Sequence, residues 1–362
     1  MQVIQDRRAL HQIPELELEL PKTMAYLRSA LLGLNCHIFS PIENALCAFF
    51  DFGADHAIGF RADCDALPIT EKNDAPYISC HPGHMHACGH DGHMAILLEL
   101  ARRLNEKSKL KHNVLLIFQP GEEVPGGARL ICNTSLFEDY RVNAIFGLHL
   151  WPGLPFGEIF SREAELMSRS SEINVDMYGK STHIGKAADG IDALAAGVEF
   201  YRRATQMEQS LPKDIYRLLK FGHMESGFVR NAISEHTRLE GSLRAFQDDV
   251  FDALRTGLDT IAAEIAKETG CTICVTGSDG YPAVLNPKQL LAKVASIYPI
   301  SHLAQPSMTS EDFSFYQRKL PGLFFFLGLG DTPPLHSDHF DFNEEILLKG
   351  ADFFEKLAEK FQ

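Results

Sequence analysis

The stretch Val114-Leu115-Leu116-Ile117-Phe118-Gln119-Pro120-Gly121-Glu122-Glu123 joins an unbroken apolar run to a turn and a pair of carboxylates. Apolar residues in a row, without alternation, are typical of a strand that is buried on both faces, as the strands of parallel sheets are. Proline and glycine then end the strand, so the two acidic side chains follow its carboxyl end. Open α/β sheets build their sites at that edge. The stretch therefore predicts a parallel sheet that carries functional groups beyond the ends of its strands.

Other apolar runs of strand length are followed by side chains of the same kind. One run ends close to Asp63, a second leads directly to His149, and a third, over 323–328, precedes His336. Parallel strands end at a common edge, so these side chains are expected to lie near one another. The pattern predicts a site assembled from distant parts of the chain.

The segment His86-Ala87-Cys88-Gly89-His90-Asp91-Gly92-His93 places three histidines, a thiol and a carboxylate within eight positions. Imidazole and thiolate are the ligands that divalent transition metals prefer. A polar, histidine-rich loop is the alternative interpretation. The ligand-type residues beyond the other strands favour a metal site, and the spacing of Cys88 and His90 lets both face one ion or a pair of ions. The chain is therefore predicted to be a metallohydrolase.

Composition and charge exclude several classes of function. The chain has 362 residues, 45% of them hydrophobic and 23% charged, and a net charge of −14. This charge argues against a nucleic-acid partner. The first residues lack the apolar segment of a signal peptide, and the apolar stretches are too short to span a membrane. The eight cysteines form no short regular framework, so we expect reduced thiols and a cytoplasmic location.

The order of the predicted elements indicates two domains. Strands alternate with helices in the first part of the chain, which predicts a mostly parallel sheet that is covered on both faces. From about residue 165 the strands alternate between polar and apolar residues. A helix predicted over 189–207 belongs to a strand-helix-strand-strand-helix-strand series. We therefore predict a large α/β/α catalytic domain over 1–164 and 277–362, with a ferredoxin-like α+β domain over 165–276 inserted into it.

Hydrolytic metal chemistry needs ligands, an open position for water and a base that accepts the proton of that water. Glu122 and Glu123 are adjacent, so one of them can bind a metal while the other handles protons. His149 and His336 offer neutral imidazoles. Asp63 is well placed to orient a histidine through a hydrogen bond.

Several motifs in this order resemble those of a known family. They are Arg61-Ala62-Asp63-Cys64-Asp65-Ala66-Leu67-Pro68, His86 to His93, Gln119 to Ala128, Gly147-Leu148-His149, Gly179-Lys180-Ser181-Thr182-His183, Arg230-Asn231, Gly241-Ser242-Leu243-Arg244, Tyr281-Pro282-Ala283-Val284-Leu285-Asn286, Ser310-Glu311-Asp312-Phe313 and Leu335-His336-Ser337. Over nearly its whole length the sequence is similar to the M20 metallopeptidases, specifically to the branch of aminoacylase, hippurate hydrolase and auxin-conjugate amidohydrolases.

The resemblance implies a role for each matching residue of the large domain. Two divalent ions, Mn²⁺ or Zn²⁺, are expected, and Co²⁺ and Ni²⁺ also accept this kind of ligand set. Glu122 is implied as the general base and Asp63 as its catalytic support. The implied metal ligands are Cys88, His90, Glu123, His149 and His336.

The resemblance also implies roles for the small domain, as a lid and as the surface of a homodimer. His183 is expected to reach the site of the neighbouring subunit and to stabilise the oxyanion. Asn231 and Arg244 match positions that bind the carboxylate of the substrate. The segments 181–186 and 231–234 depart from the usual motifs of the family, which puts the acyl and amino-acid preference in doubt and leaves the chemistry unaffected.

The expected function is hydrolysis of the amide bond of an N-acyl amino acid, such as an N-acetyl amino acid, to a carboxylate and a free amino acid. N-acetyl-diaminopimelate deacetylase and hippurate hydrolase are alternatives within this class. A dipeptidase would need a pocket for a free ammonium group, which the sequence does not identify. Outside the class, the alternative is a metal-dependent binding protein without turnover, against which the intact Glu122 argues.

Overall fold

The computed structural model describes residues 1–362. The α-helices are α1 (Gln2–His11), α2 (Pro21–Leu31), α3 (His90–Asn105), α4 (Gly127–Cys132), α5 (Leu136–Asp139), α6 (Ala193–Ser210), α7 (Asp248–Thr269), α8 (Lys288–Ala295), α9 (Ser314–Lys319) and α10 (Ile346–Lys360). The strands are β1 (His37–Phe39), β2 (Leu46–Phe50), β3 (Ala57–Asp63), β4 (Asn113–Gln119), β5 (Val142–Trp151), β6 (Ile159–Ser161), β7 (Ala164–Met167), β8 (Arg169–Tyr178), β9 (Arg217–Ser226), β10 (His236–Ala245), β11 (Thr272–Gly277), β12 (Val284–Asn286), β13 (Ser301–His302) and β14 (Gly322–Gly328). A 3-10 helix covers Ile184–Asp189.

The chain divides into two compact units. The large unit comprises Met1–Leu166, Leu285–Pro306 and Glu311–Gln362. The small unit comprises Met167–Val284 and Ser307–Ser310. No helix in either unit is long and apolar enough to cross a membrane, and all eight cysteines are free.

The large unit is built on an eight-stranded sheet in the order β1-β2-β4-β3-β5-β14-β6-β13. Its central strands β4, β3, β5 and β14 are parallel to one another. Their residues are buried almost throughout, as the apolar runs predict. The mostly parallel α/β class is confirmed. The sequence pattern did not predict β1 and β2, which add an antiparallel hairpin at one edge.

Helices cover both faces of this sheet. Neighbouring residues of a strand point to opposite faces, and in β14 Phe324 packs against Phe313, just before α9, while Phe325 packs against Phe353 of α10. Phe60 of β3 packs against Phe354, on the α10 side. The central strands therefore face no solvent on either side, which is why they read as continuous apolar runs.

The register of the parallel strands brings their carboxyl ends to one edge. Asp63 at the end of β3 pairs with Gln119 at the end of β4. His149 of β5 pairs with Phe326 of β14. The residues that follow these strand ends are thereby collected at a common edge, as expected for an open α/β sheet.

The small unit has the ferredoxin-like arrangement. Its antiparallel sheet has the order β11-β8-β10-β9, and α6 and α7 contribute to one apolar core with β8 and β10. β9 is an edge strand of this sheet. The helix predicted over 189–207 begins at Ala193, because the Asp192 side chain accepts hydrogen bonds from the amides of Leu194 and Ala195 at 2.9 and 3.1 Å and caps the helix.

Candidate metal centre

His90 is the first residue of α3 and lies buried at the carboxyl edge of the large sheet. Gly89 precedes it with φ of 87°, a left-handed conformation that glycine adopts without strain. The Nδ1–H of His90 donates to the carbonyl of Asp65 at 2.8 Å. This bond leaves Nε2 with a free lone pair, and Nε2 is buried without a hydrogen-bond partner. An unpartnered buried imidazole nitrogen is costly unless an ion binds it.

Cys88 and His149 lie beside His90 and complete a buried group. The Nδ1–H of His149 donates to the carbonyl of Leu150 at 2.7 Å, so its Nε2 faces the Sγ of Cys88 at 3.4 Å. The ligand atoms of Cys88, His90 and His149 lie within 4.8 Å of one another. This spacing is suited to a single metal ion.

A second group shares the same thiol. Cys88, Glu123 and His336 also place one ligand atom each within 4.8 Å of the others. The Nε2 of His336 lies 3.2 Å from the Oε1 of Glu123. His336 has φ of 64°, a strained conformation for a residue with a β-carbon, and such strain is concentrated at functional sites. The two groups meet at Cys88.

The protonation states of these side chains are those of a donor set without a bound cation. Burial lowers the pKa of His149 well below its usual value, so its imidazole is neutral. Burial, Glu123 and Glu122 raise the pKa of the Cys88 thiol well above its usual value. Cys88 would hold a divalent ion as the thiolate, since a bound cation favours that form. The thiol, imidazole and carboxylate donors together fit a transition-metal centre.

Glu122 lies next to this donor set and has a different environment from Glu123. Burial, followed by the charges of Glu311 and Glu123, raises the pKa of Glu122 well above its usual value. Burial opposes the shift at Glu123, but hydrogen bonding by His336 and the charge of His90 lower the pKa of Glu123. Neighbouring carboxyl groups whose pKa values are driven apart can perform different tasks, one as a ligand and one as a proton carrier.

Asp63 connects the end of β3 to the histidines of α3. Its Oδ1 accepts from the Nδ1 of His93 at 2.6 Å, and the Nε2 of His93 accepts from the amide of Leu150 at 2.9 Å. Both ring nitrogens of His93 thus have partners within the protein. Although burial acts in the opposite direction, the charges of His90 and Arg61 hold the pKa of Asp63 well below its usual value.

Arg61 joins three carboxylates beneath the centre. Its guanidinium lies 2.8 Å from Asp63, 2.9 Å from Glu311 and 2.7 Å from Asp312. Its Nε donates to Gln119 at 2.8 Å. All of these side chains are buried. Burial raises the pKa of Asp312 to about 6, against the opposing charge of Arg61.

Comparison with known proteins identifies the family. The sequence profile of peptidase family M20/M25/M40 matches residues 59–360. Over 370 residues the chain is 33% identical to an uncharacterized hydrolase of Staphylococcus haemolyticus, covering 98% of this chain and 97% of that protein. The chain belongs to the M20/M25/M40 family. The resemblance to M20 enzymes is thereby confirmed, and the protein is a hydrolase.

Solved structures agree with this M20 assignment. The Bacillus subtilis YXEP protein, a dinuclear metal-binding peptidase from the M20 family, has a TM-score of 0.85 and 30% identity, covering 99% of this chain and 96% of that chain. A protein from methicillin-resistant Staphylococcus aureus, named provisionally as an aminohydrolase, has a TM-score of 0.91 and 26% identity, covering 98% of this chain and 95% of that chain.

In the small unit of the M20 hydrolase, two of the predicted site residues lie together and one lies apart. His183 and Asn231 are exposed on adjacent segments, where His183 forms a bridge with Ala232. Arg244 is near the opposite end of β10 from this loop, and its guanidinium donates to the carbonyl of Met308. The length of β10 separates Asn231 from Arg244 by roughly 25 Å. A single carboxylate therefore cannot contact Asn231 and Arg244 of the same subunit.

Two buried residues of the M20 hydrolase have positions that the sequence did not predict. Arg61 and Asp65 lie within a motif recognised from the sequence, but only the structure shows their partners. A buried arginine in an apolar strand must be paired with acidic groups. The position of Arg61 in the sequence could therefore have predicted a nearby carboxylate cluster. Asp65 carried none, because its partners are backbone amides, which no sequence pattern displays.

Proposed function

We propose that this M20 hydrolase is an amidohydrolase that uses two divalent ions to cleave the amide bond of N-acyl amino acids. The shared position of Cys88 in both ligand groups carries the proposal of two ions. The B. subtilis neighbour, a dinuclear metal-binding peptidase, supports it. We assign the ions to Cys88, His90, Glu123, His149 and His336.

Two ions held there would supply Lewis-acid chemistry, which polarises a scissile carbonyl and lowers the pKa of water. Mn²⁺ or Zn²⁺ would suit the donors, and Co²⁺ and Ni²⁺ are further ions for the same set. The other parts of the reaction belong to the protein. Glu122 accepts the proton of the attacking water on a carboxylate oxygen and then delivers it to the leaving nitrogen. Asp63 orients His93 of α3 through its hydrogen bond to Nδ1.

The proposed substrate class rests on motifs that resemble those of the aminoacylase, hippurate hydrolase and auxin-conjugate amidohydrolase branch. An N-acetyl amino acid is the leading substrate. N-acetyl-diaminopimelate and benzoylglycine are the alternatives, and they differ in the acyl group and in the amino acid.

Release of free amine from a panel of N-acetyl, N-benzoyl and longer N-acyl amino acids tests this proposal. The panel should include N-acetyl-diaminopimelate, and the protein should be reconstituted separately with Mn²⁺ and with Zn²⁺. Selective turnover would identify the acyl group and the amino acid together. Absence of turnover across the panel, with metal bound at the centre, would contradict the amidohydrolase proposal.

Substitution of the shared ligand should affect both ions. We expect Cys88→Ala to lower the bound metal well below two ions per chain, because each ligand group loses a member. Cys274→Ala removes an exposed thiol and should leave the metal content unchanged. Elemental analysis after dialysis against equal metal concentrations measures both variants. A Cys88→Ala protein that retains the metal content of the wild type would exclude Cys88 as a ligand.

We propose that the small unit forms a homodimer through β9 and α6. β9 has an unpaired edge, which a second copy can extend. Along α6, Leu194, Val198 and Tyr201 are 46%, 55% and 47% exposed and follow helical spacing. Phe228, in the loop after β9, is 88% exposed. Exposed apolar side chains in such number mark interaction surfaces.

In this dimer His183 and the adjacent Asn231 contribute to the site of the neighbouring subunit. Arg244 of the same chain does not contribute to that same site. We expect His183→Ala to lower kcat by about 10²- to 10³-fold, the usual effect of losing one oxyanion donor. His56→Ala, at an exposed position just before β3 of the large unit, provides a histidine control.

Mixing two inactive variants tests the exchange between subunits. When Glu122→Gln and His183→Ala chains are unfolded together and refolded, heterodimers contain one site with both intact residues. We therefore expect the mixture to recover turnover that neither variant shows alone. An active monomer in sedimentation analysis, or a mixture that stays inactive although heterodimers form, would contradict the role of His183 across the interface.

A further inference from the structure

Asp65 has contacts with both carboxylates and with a histidine of the candidate centre. Its Oδ1 accepts from the backbone amide of Glu122 at 2.8 Å, and its Oδ2 accepts from the backbone amide of Glu123 at 3.0 Å. Its carbonyl oxygen accepts from the Nδ1 of His90 at 2.8 Å. Asp65 is only 1% exposed. One residue without a direct place in either ligand group thus contacts three residues of the site.

The two amide bonds determine the orientation of the turn that follows β4. The turn starts with Gly121, whose φ of 66° permits the sharp change of direction. The consecutive amides of Glu122 and Glu123 donate to the same carboxyl group, so the backbone is fixed at both residues. The directions in which their two side chains project are thereby fixed as well. Each oxygen of the Asp65 carboxyl group accepts one of these amide hydrogen bonds. The turn is therefore held from beneath by Asp65.

The bond to His90 adds a second effect. Because the Nδ1–H of His90 donates to the backbone carbonyl of Asp65, the proton stays on Nδ1 and the basicity of Nε2 is raised. Asp65 therefore fixes the position of the His90 imidazole as well as the backbone of Glu122 and Glu123. A displacement of Asp65 would change the distance between the two ligand groups.

We propose that Asp65 is a positioning residue that places Glu123 and Glu122 for metal binding and proton transfer. This inference rests on the proposed function, since it assigns Asp65 a task in the same centre. Asp65→Asn preserves the backbone carbonyl and the shape of the side chain, but replaces one acceptor oxygen by an amide donor. One of the two turn amides then faces a donor and loses its partner.

We expect Asp65→Asn to weaken the ion held with Glu123 by about 10- to 100-fold, the range found for residues that orient metal ligands. The other ion, held with His90 and His149, should be much less affected, because the carbonyl bond to His90 remains. Zn²⁺ titration in competition with a chromophoric chelator measures the two affinities separately. Asp51→Asn is the matched control, since Asp51 is exposed and accepts one amide, that of Gly53, at 2.8 Å.

Binding is measured without substrate, which separates this inference from the proposed reaction. A wild-type protein that binds no Zn²⁺ would remove the metal centre itself. Wild-type protein that binds two ions beside an Asp65→Asn protein with unchanged affinities would overturn only the role of Asp65. Equal weakening of both ions, together with a lower melting temperature of the metal-free variant, would assign Asp65 a general structural role and would also overturn the proposal.

Amide hydrogen exchange in the wild type provides a test that does not depend on folding of the variant. The amides of Glu122 and Glu123 should exchange slowly in the metal-free protein, because both are bonded to a buried carboxylate. Fast exchange at these two amides, at the rate of exposed turns, would overturn the proposal.

Discussion

Glu122→Gln is expected to lower kcat by about 10²- to 10⁴-fold, the contribution that a general acid-base group usually makes. Glutamine has nearly the same shape as glutamate but cannot accept a proton from water. Glu122 is buried, and the charges of Glu311 and Glu123 add to the effect of burial in raising its pKa. A raised pKa makes the Glu122 carboxylate a better acceptor for the proton of water.

Three measurements make this expectation specific. Metal content should be close to that of the wild type, because Glu123 remains. The residual activity should lose the fall of kcat/KM toward acid pH that protonation of Glu122 causes in the wild type. Glu106→Gln, at an exposed position directly after α3, should keep full activity. A Glu122→Gln enzyme that turns over at the wild-type rate with metal bound would exclude Glu122 as the base.

Arg61→Met is expected to reduce the free energy of unfolding by about 3–5 kcal/mol, the usual cost of removing one partner from a buried ionic cluster. Asp63, Glu311 and Asp312 lose the cation that they share, with contacts of 2.7 to 2.9 Å. Methionine fills much of the same volume. The loss of unfolding free energy is therefore due mainly to the missing charge and hydrogen bonds, and only to a small extent to an empty cavity.

Urea unfolding of the metal-free proteins measures this effect, with Arg28→Met as the control. Arg28 is exposed, and its substitution should change the stability by less than about 0.5 kcal/mol. Without Arg61 the buried carboxyl groups retain protons that the unfolded chain releases, so the stability of the variant falls as the pH rises. The difference from the wild type should therefore be larger at about pH 8 than at about pH 5. A difference that is independent of pH would show that packing, and not charge, accounts for the loss.

Much of the large unit could be predicted because its signals are local. Continuous apolar runs identified the central strands, and the residues that follow them were expected at one edge of the sheet. The structure places Cys88, His90 and His149 within 4.8 Å of one another, and Cys88, Glu123 and His336 likewise. These residues are far apart in the chain, but the direction of parallel strands is enough to predict that they meet.

Other features could not be predicted because they depend on groups that no pattern displays. The partners of Asp65 are backbone amides, and the capping of α6 by Asp192 moves the start of that helix. The distance between Asn231 and Arg244 depends on how the loop after β9 joins β10. Motif resemblance places both residues in the substrate site, but it contains no information on which subunit supplies each of them.

By itself, the sequence determined the fold class, the M20 family and the candidate residues of the centre, because hydrophobic periodicity and ligand chemistry are properties of the residues themselves. Only the tertiary structure decided how Glu122 and Glu123 differ. The two side chains are chemically identical and adjacent, and their pKa values are driven apart by neighbours that folding supplies: Glu311 beside Glu122, and His336 and His90 beside Glu123. In a buried environment charges interact strongly over short distances, so the division of tasks between identical groups is decided by the fold.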